Sequence, residues 1–341
     1  MEYKVSIIMP VYKVANVIER SLHSIMQQTY SPLECIIVND GTPDNSMCII
    51  NNILEQYTGD IDFKIIEFHV NKGISQARNA GLNNASGDYV FYLDSDDEIT
   101  PNCINELVQK AKQYPEAEVI QGSYKTYPEE ETEYYELQYR NHPLYIDDNY
   151  KINDFFLTQK RLSVTVWNKL IKRKVILENN ISFIEGIIYE DLPWIFQLVE
   201  HVHLIVFNDS ITYKYYRQAT SITKSSPYSR GLESYAIIIR HCYDNMLPQL
   251  LTLQKPFVFQ LLLARIYEIY RLYPKPDIIK KYTSLCKYMY IDSIKKRRAK
   301  DSVKLLIYMI ILQLIRSSFF RNISKKIIGI IKGGKMVKLY R

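Results

Sequence analysis

Short apolar runs alternate with amphipathic stretches over the first hundred residues, and this alternation narrows the possible folds more than any other feature of the chain. Residues 5–9 form an apolar run of strand length. Val17, Ile18, Leu22, Ile25 and Met26 then recur at helical spacing until Ser31-Pro32 interrupts them. A second strand-like run at 33–38, a helix over about 45–57, a third run at 63–68, a helix over 74–84 closed by turn residues around Gly87, and a fourth run at 89–93 give the order β-α-β-α-β-α-β. That order builds an α/β fold, a mostly parallel sheet with helices on both faces.

The remainder is organised differently. A helix is expected from Pro101 to about Tyr114, then a short strand at 119–121. The stretch from Glu129 to Tyr139 is polar, acidic and tyrosine-rich without a clear period, and reads as a surface loop or lid. From Leu232 onward the pattern is helical. Ser, Pro and Gly cluster at 223–231, which places a domain boundary there. A length of 341 residues suits one large domain with a smaller one beside it.

Charge divides along the same line. The net charge is +6, yet from Lys295 to Arg341 fourteen Lys and Arg stand against the single Asp301, so the residues before Lys295 carry a net −7. Leu305 to Leu312 is apolar all round but, even with Leu314 and Ile315, covers only about half a bilayer, which excludes a transmembrane helix there. Beyond it, Phe319-Phe320 and Ile327-Ile328 alternate with Arg321, Lys325, Lys326 and Lys332, a composition suited to an anionic membrane surface. A helix packed on its own domain with a solvated basic edge is the competing reading. No nucleic-acid-binding module accompanies the charge. The cysteines (Cys35, Cys48, Cys103, Cys242, Cys286) lack paired spacing and read as reduced thiols. The N-terminal apolar run is too short for a signal peptide. The expected location is the cytoplasm, peripheral on the inner membrane face if the tail binds lipid.

Open α/β sheets bind ligands beyond the C-terminal ends of their strands. Here the first strand runs into Pro10-Val11-Tyr12, the second into Asn39-Asp40-Gly41-Thr42-Pro43-Asp44-Asn45-Ser46, and the fourth into Asp94-Ser95-Asp96-Asp97. Hard divalent cations such as Mg²⁺ and Mn²⁺ take oxygen ligands and bridge one or two carboxylates to phosphates, so the last cluster suits a metal-bound diphosphate. Its alternative is an acidic turn capping the helix after Pro101. The six histidines show no H-x-x-x-H spacing, which leaves zinc catalysis unsupported.

Four motifs occur in order: Ser6-Ile7-Ile8-Met9-Pro10-Val11-Tyr12, Ile37-Val38 leading into the Asn39–Ser46 turn, Asn71-Lys72-Gly73-Ile74-Ser75-Gln76-Ala77-Arg78-Asn79-Ala80-Gly81, and Gly87-Asp88-Tyr89-Val90-Phe91-Tyr92-Leu93 leading into the carboxylate cluster. Together they make residues 4–100 resemble the N-terminal half of a family 2 glycosyltransferase of the GT-A fold. The resemblance implies an inverting transferase that uses a nucleotide diphosphate sugar, a UDP-sugar foremost, with Mn²⁺ or Mg²⁺ as cofactor. It implies that Pro10 and Tyr12 flank the nucleobase, that Asp40 accepts from a base N–H, and that Arg78 faces the diphosphate. It also implies that Asp94 approaches the ribose and metal and that Asp96 ligates the metal directly. Most family members carry Asp at the place of Asn39. The competing readings are a turn-initiating Asp for Asp40 and a solvated helix face for Arg78.

Phe183-Ile184-Glu185-Gly186-Ile187-Ile188-Tyr189-Glu190-Asp191-Leu192-Pro193-Trp194 resembles the family's Glu-Asp motif near the acceptor site. An inverting transfer needs a base for the attacking hydroxyl, and motif position nominates Asp191, with Glu190 in support. A helix N-cap is the alternative for Asp191. Trp167-Asn168-Lys169 and Tyr215 to Thr223 match more weakly; Trp167 would stack on an acceptor sugar and Arg217 meet phosphate, or each would serve packing or a surface pair.

The implied organisation is a GT-A domain over 1–225, with a donor half at 1–100 and an acceptor half at 101–225, and a helical C-terminal region over 226–341. The expected acceptor is a polysaccharide or glycolipid, free or lipid-linked. Absence of glycine after the first strand removes sugar nucleotidyltransferases and dinucleotide-dependent oxidoreductases. A catalytically inactive nucleotide-sugar-binding or partner-binding homologue is the remaining alternative.

Overall fold

A computed structural model describes residues 2–127, 143–217, 227–272, 274–296 and 298–316. The acidic, tyrosine-rich stretch at 129–139, Ser221-Ile222-Thr223 and the basic tail beyond Arg316 lie outside these residues.

Four strands pair in parallel in the order β3-β2-β1-β4: β1 (Val5–Val11), β2 (Leu33–Asn39), β3 (Asp62–Glu67) and β4 (Tyr89–Tyr92). Helices α1 (Ile18–Met26), α2 (Ser46–Glu55) and α3 (Ile74–Asn84) connect them. All seven residues of β1 are buried. Side chains alternate across a strand, so Val5, Ile7, Met9 and Val11 join Ile18, Leu22 and Ile25 of α1 in one core, while Ile8 meets Gly81 of α3 on the other face. A strand covered on both faces has no solvated side, which explains its unbroken apolar run.

The sheet continues as β8-β6-β9-β5 beyond β4, with β7 also on β9. These strands are β5 (Glu98–Ile99), β6 (Val119–Tyr127), β7 (Tyr145–Ile146), β8 (Lys169–Lys172) and β9 (Ile205–Tyr216). β8 runs antiparallel to both β4 and β6, and β6 runs parallel to β9. Helices α4 (Cys103–Gln113), α5 (Asn149–Leu157), α6 (Arg173–Glu178) and α7 (Asp191–His201) complete this part. The strand expected at 119–121 extends to Tyr127, and β8 and β9 have no counterpart in the sequence reading. The reason is visible in their composition: β8 is four residues with lysine at both ends, and β9 is broken by exposed Asp209 and Ser210.

Residues 1–186 and 190–221 form one compact unit, and residues 187–189 and 222–341 form a second. Among the described residues the second unit is helical: α8 (Tyr228–Asp244), α9 (Leu251–Leu272), α10 (Pro276–Lys295) and α11 (Ala299–Arg316). Its core includes Ile239, Val258, Leu262, Ile266, Met289 and Leu305, with the Tyr282 hydroxyl donating to the Leu232 carbonyl at 2.8 Å. α11 buries Leu305, Tyr308, Ile311 and Leu312 but exposes Val303, Leu306 and Ile310. Among the described residues no helix is long and apolar enough to cross a membrane. All five thiols are free, and only that of Cys48 is exposed.

Candidate active site

The parallel pairing brings the ends of β1, β2 and β4 to one edge of the sheet. β1 delivers Tyr12, 36% exposed, while Pro10 stays buried opposite Val38. The turn after β2 passes so close to residues 70–71 that Gly41 adopts φ +62°, and a Cβ there would lie 2.5 Å from the Val70 carbonyl carbon. Only glycine meets both demands. Thr42 Oγ1 accepts from the Lys13 N–H at 2.8 Å and Asp44 from the Ala15 N–H at 3.0 Å, which ties the end of β1 to this turn. Burial would raise the Asp44 carboxyl, but bonds from Ser46, Ala15 and Thr42 hold it down at about 2. Asp44 is a clasp.

Asp40, assigned by the resemblance to a base N–H, already has both oxygens engaged. Oδ1 accepts from the Lys72 N–H at 2.7 Å, and Oδ2 accepts from Asn71 Nδ2 at 2.8 Å and the Gly73 N–H at 2.9 Å. Burial raises this carboxyl, and the Lys72 and Gly73 N–H groups oppose the rise. A carboxylate at the start of α3 is favoured by the free N–H groups there, and it pins residues 71–73 against the sheet.

Arg78 is the centre of the site. It is buried, its exposure being 2%, so the solvated-helix reading does not hold. Nη1 donates to Glu190 Oε1 at 2.8 Å and to Asp191 Oδ1 at 2.7 Å; Nη2 donates to Asp94 Oδ1 at 2.8 Å. The guanidinium also lies 5.3 Å from the Phe183 ring centre, and Phe183 stacks on Trp194 at 5.1 Å. Burial would lower the Arg78 pKa, but Asp191, Asp94 and Glu190 together raise it. Arg78, which the resemblance turns toward the diphosphate, thus meets carboxylates at both terminal nitrogens and joins the β4 end to the start of α7.

Asp191 is the first residue of α7 rather than its N-cap; Glu190 holds the cap position and makes no side-chain cap bond. The capping alternative fails because the Asp191 carboxylate turns to Arg78 and to the Val166 N–H. Its side chain is 22% exposed, enough for a substrate hydroxyl to reach. Burial raises the Asp191 carboxyl against the pull of Arg78, and burial and Asp191 together raise that of Glu190.

The carboxylate cluster after β4 divides by function. Asp97 accepts from the Tyr213 hydroxyl and the Tyr216 N–H, both at 2.7 Å, and so fastens β9 to this loop. Asp96 is pushed up to about 6 by burial and by Asp94 beside it. Among the described residues no group of three or more His, Cys, Asp or Glu is placed to hold a metal by itself. Two crowded carboxylates still fit a hard divalent cation that takes its other ligands from phosphate and water, and its charge would relieve their repulsion. Trp167 is stacked between Tyr213 at 4.5 Å and Tyr215 at 5.6 Å and is 6% exposed, which makes it core packing. Arg217 follows β9 with its N–H bonded to the Tyr127 carbonyl at 3.0 Å.

The family described as Glycosyl transferase family 2 matches residues 6–178. Glycosyltransferase GlyA of Streptococcus pneumoniae serotype 4 is 34% identical over 185 residues, which cover 50% of this chain and 25% of that protein. The chain therefore spans about a quarter of that relative's length. The crystal structure of S. aureus TarS 1-349 in complex with UDP-GlcNAc matches with a TM-score of 0.64 at 16% identity over 94% of this chain and 92% of that one. The mannosyltransferase PcManGT from Pyrobaculum calidifontis in complex with GDP-Man and Mn²⁺ matches with a TM-score of 0.53 at 15% identity over 97% and 87%. The fold is of the GT-A type.

Proposed function

The chain belongs to glycosyl transferase family 2, and from that membership we propose that it transfers a sugar from a nucleoside diphosphate donor, UDP-linked foremost, to a hydroxyl of a saccharide or lipid-linked saccharide with inversion. The observation that carries this reading is Arg78 bonding Asp94 on the donor side and Asp191 on the acceptor side at once. Pro10 and Tyr12 would flank the base, and Asp40 contributes by fixing residues 71–73 ahead of α3. Asp191 takes the proton of the attacking hydroxyl as the new C–O bond forms and the bond from the anomeric carbon to the diphosphate breaks. Arg78 holds the Asp191 carboxylate in one orientation and stays protonated throughout. Asp96 and Asp94 would hold Mn²⁺ or Mg²⁺, which supplies charge neutralisation to the diphosphate. Structural neighbours solved in complex with UDP-GlcNAc and with GDP-Man and Mn²⁺ support the donor class.

Calorimetric titration with UDP tests this reading. Affinity in Mn²⁺ should exceed that in chelator by about tenfold or more, and Asp96→Asn should lose that difference while keeping its melting temperature. Equal affinity in Mn²⁺ and in chelator would remove the metal bridge.

The proposed place of work is an anionic membrane surface. α11 supports this, since it presents Val303, Leu306 and Ile310 beside Lys300 and Lys304. Full-length protein should sediment with phosphatidylserine vesicles and leave them at high salt, and truncation before Ser302 should abolish binding. Equal sedimentation of both proteins would make the tail structural.

A further inference from the structure

Helix α1 carries a polar edge beside its apolar one. Arg20 and Ser24, and Gln28 just past the helix end, stand four residues apart and so share one side of it. All three grip the backbone of the segment that holds the carboxylates. Arg20 Nη2 donates to the Asp96 carbonyl at 2.7 Å, Ser24 Oγ accepts from the Ile99 N–H at 3.2 Å, and Gln28 Nε2 donates to the Thr100 carbonyl at 2.8 Å.

Arg20 reaches further than its two neighbours. Its Nε lies 2.8 Å from Glu98 Oε1, and its guanidinium lies 3.5 Å from the centre of the Tyr216 ring. One planar cation thus touches a carbonyl, a carboxylate and an aromatic face, a combination that a lysine ammonium does not reproduce. The plain alternative is a surface ion pair with Glu98, since the Arg20 side chain is 36% exposed and such pairs contribute little. The bond to the carbonyl speaks against it. The three aspartates after β4 are held differently: Asp94 by its carboxylate on Arg78, Asp97 by its carboxylate on Tyr213 and the Tyr216 N–H, and Asp96 through its carbonyl. A grip on the carbonyl fixes where the residue stands without engaging its carboxylate.

We propose that Arg20 is a positioning residue for donor binding: by holding the Asp96 carbonyl it fixes the turn over 94–97 and presents the Asp96 carboxylate to the divalent cation on the donor diphosphate. The inference rests on the reading of Asp96 as a metal ligand. The turn itself is closed by the Asp97 N–H donating to the Asp94 carbonyl at 3.1 Å, so its amide reports whether the turn holds.

Two measurements on Arg20→Met test this, one with metal and one without. In Mn²⁺ the variant should bind UDP about tenfold more weakly than the parent, the low end of what partners of metal ligands cost, while in chelator the two should bind alike. In the metal-free protein the Asp97 amide should exchange with solvent about tenfold faster than in the parent, with the amides of β1 and β2 at parent rates. Parent values in both measurements would leave Arg20 a surface ion pair, and faster exchange with parent affinity in Mn²⁺ would confine it to stability. Lys214→Met is the control. It removes the other cation on Glu98, 3.0 Å from Oε2, and leaves the Asp96 carbonyl bond in place. Both readouts should stay at parent values, and a loss equal to that of Arg20→Met would make the charge on Glu98 the cause and overturn the proposal. Should Arg20→Met fail to fold, Arg20→Lys replaces it, because a single nitrogen paired with Glu98 is taken from the Asp96 carbonyl; the same two shifts are expected, and parent values overturn the proposal. Equal UDP affinity of the parent in Mn²⁺ and in chelator would instead remove the metal bridge, and the exchange rates then decide by themselves whether Arg20 holds the turn.

Discussion

Asp191→Asn should slow sugar transfer by roughly 10² to 10⁴, the usual contribution of a general base, while UDP affinity changes little. The substitution is conservative in shape. An amide oxygen can still accept from Arg78 Nη1, now 2.7 Å from Asp191 Oδ1, and because Glu190 rather than Asp191 holds the N-cap position of α7 the substitution removes no cap residue. What disappears is basicity. Asp191→Glu moves the carboxylate by one methylene and should also be slow, whereas Glu190→Gln should cost less, as expected for a residue in support. Single-turnover transfer, measured beside UDP calorimetry, decides the matter: parent-rate turnover by Asp191→Asn would send the search for the base to Glu190.

Arg78→Met should be the most destabilising single substitution in the first unit, costing about 3–5 kcal/mol, the range for removing one partner of a buried ion pair. Methionine fills similar volume, so the loss measures charge. Asp94, Glu190 and Asp191 would then face one another without the guanidinium, and the carboxyls of Glu190 and Asp191, already raised by burial, would rise further. The sign follows from linkage. Groups whose folded pKa is raised bind more protons in the folded than in the unfolded state, so their contribution is fully present below the unfolded pKa and is lost as pH rises through the folded one. The deficit of Arg78→Met against the parent should therefore be largest near neutral pH and shrink on acidification. Denaturant unfolding at several pH values measures it, and a deficit independent of pH would mean that packing on Phe183, not charge, is what Arg78 provides.

Much of this could be read from the chain alone. The four parallel strands and the helices between them were legible because each announces itself over fewer than a dozen residues: β1 by an unbroken apolar run, α1 by Ile18, Leu22 and Ile25 at helical spacing. The motifs at the strand ends were legible for the same reason, and they carried the family. β8 and β9 were not, because a lysine buried at Lys169 and the polar stretch within β9 contradict the local pattern, and only pairing with β4 and β6 makes them strands. The partners of the motif residues were equally hidden. Arg78 and Asp191 stand 113 residues apart, and no periodicity links them. Asp40 closes on Asn71, Lys72 and Gly73 across 31–33 residues, and Trp167 disappears into a stack of tyrosines from β9. Local sequence sets which faces are apolar and where the chain must turn, since those preferences act between neighbours. Which carboxylates share a guanidinium depends on contacts that exist only once the sheet has brought distant strand ends to one edge.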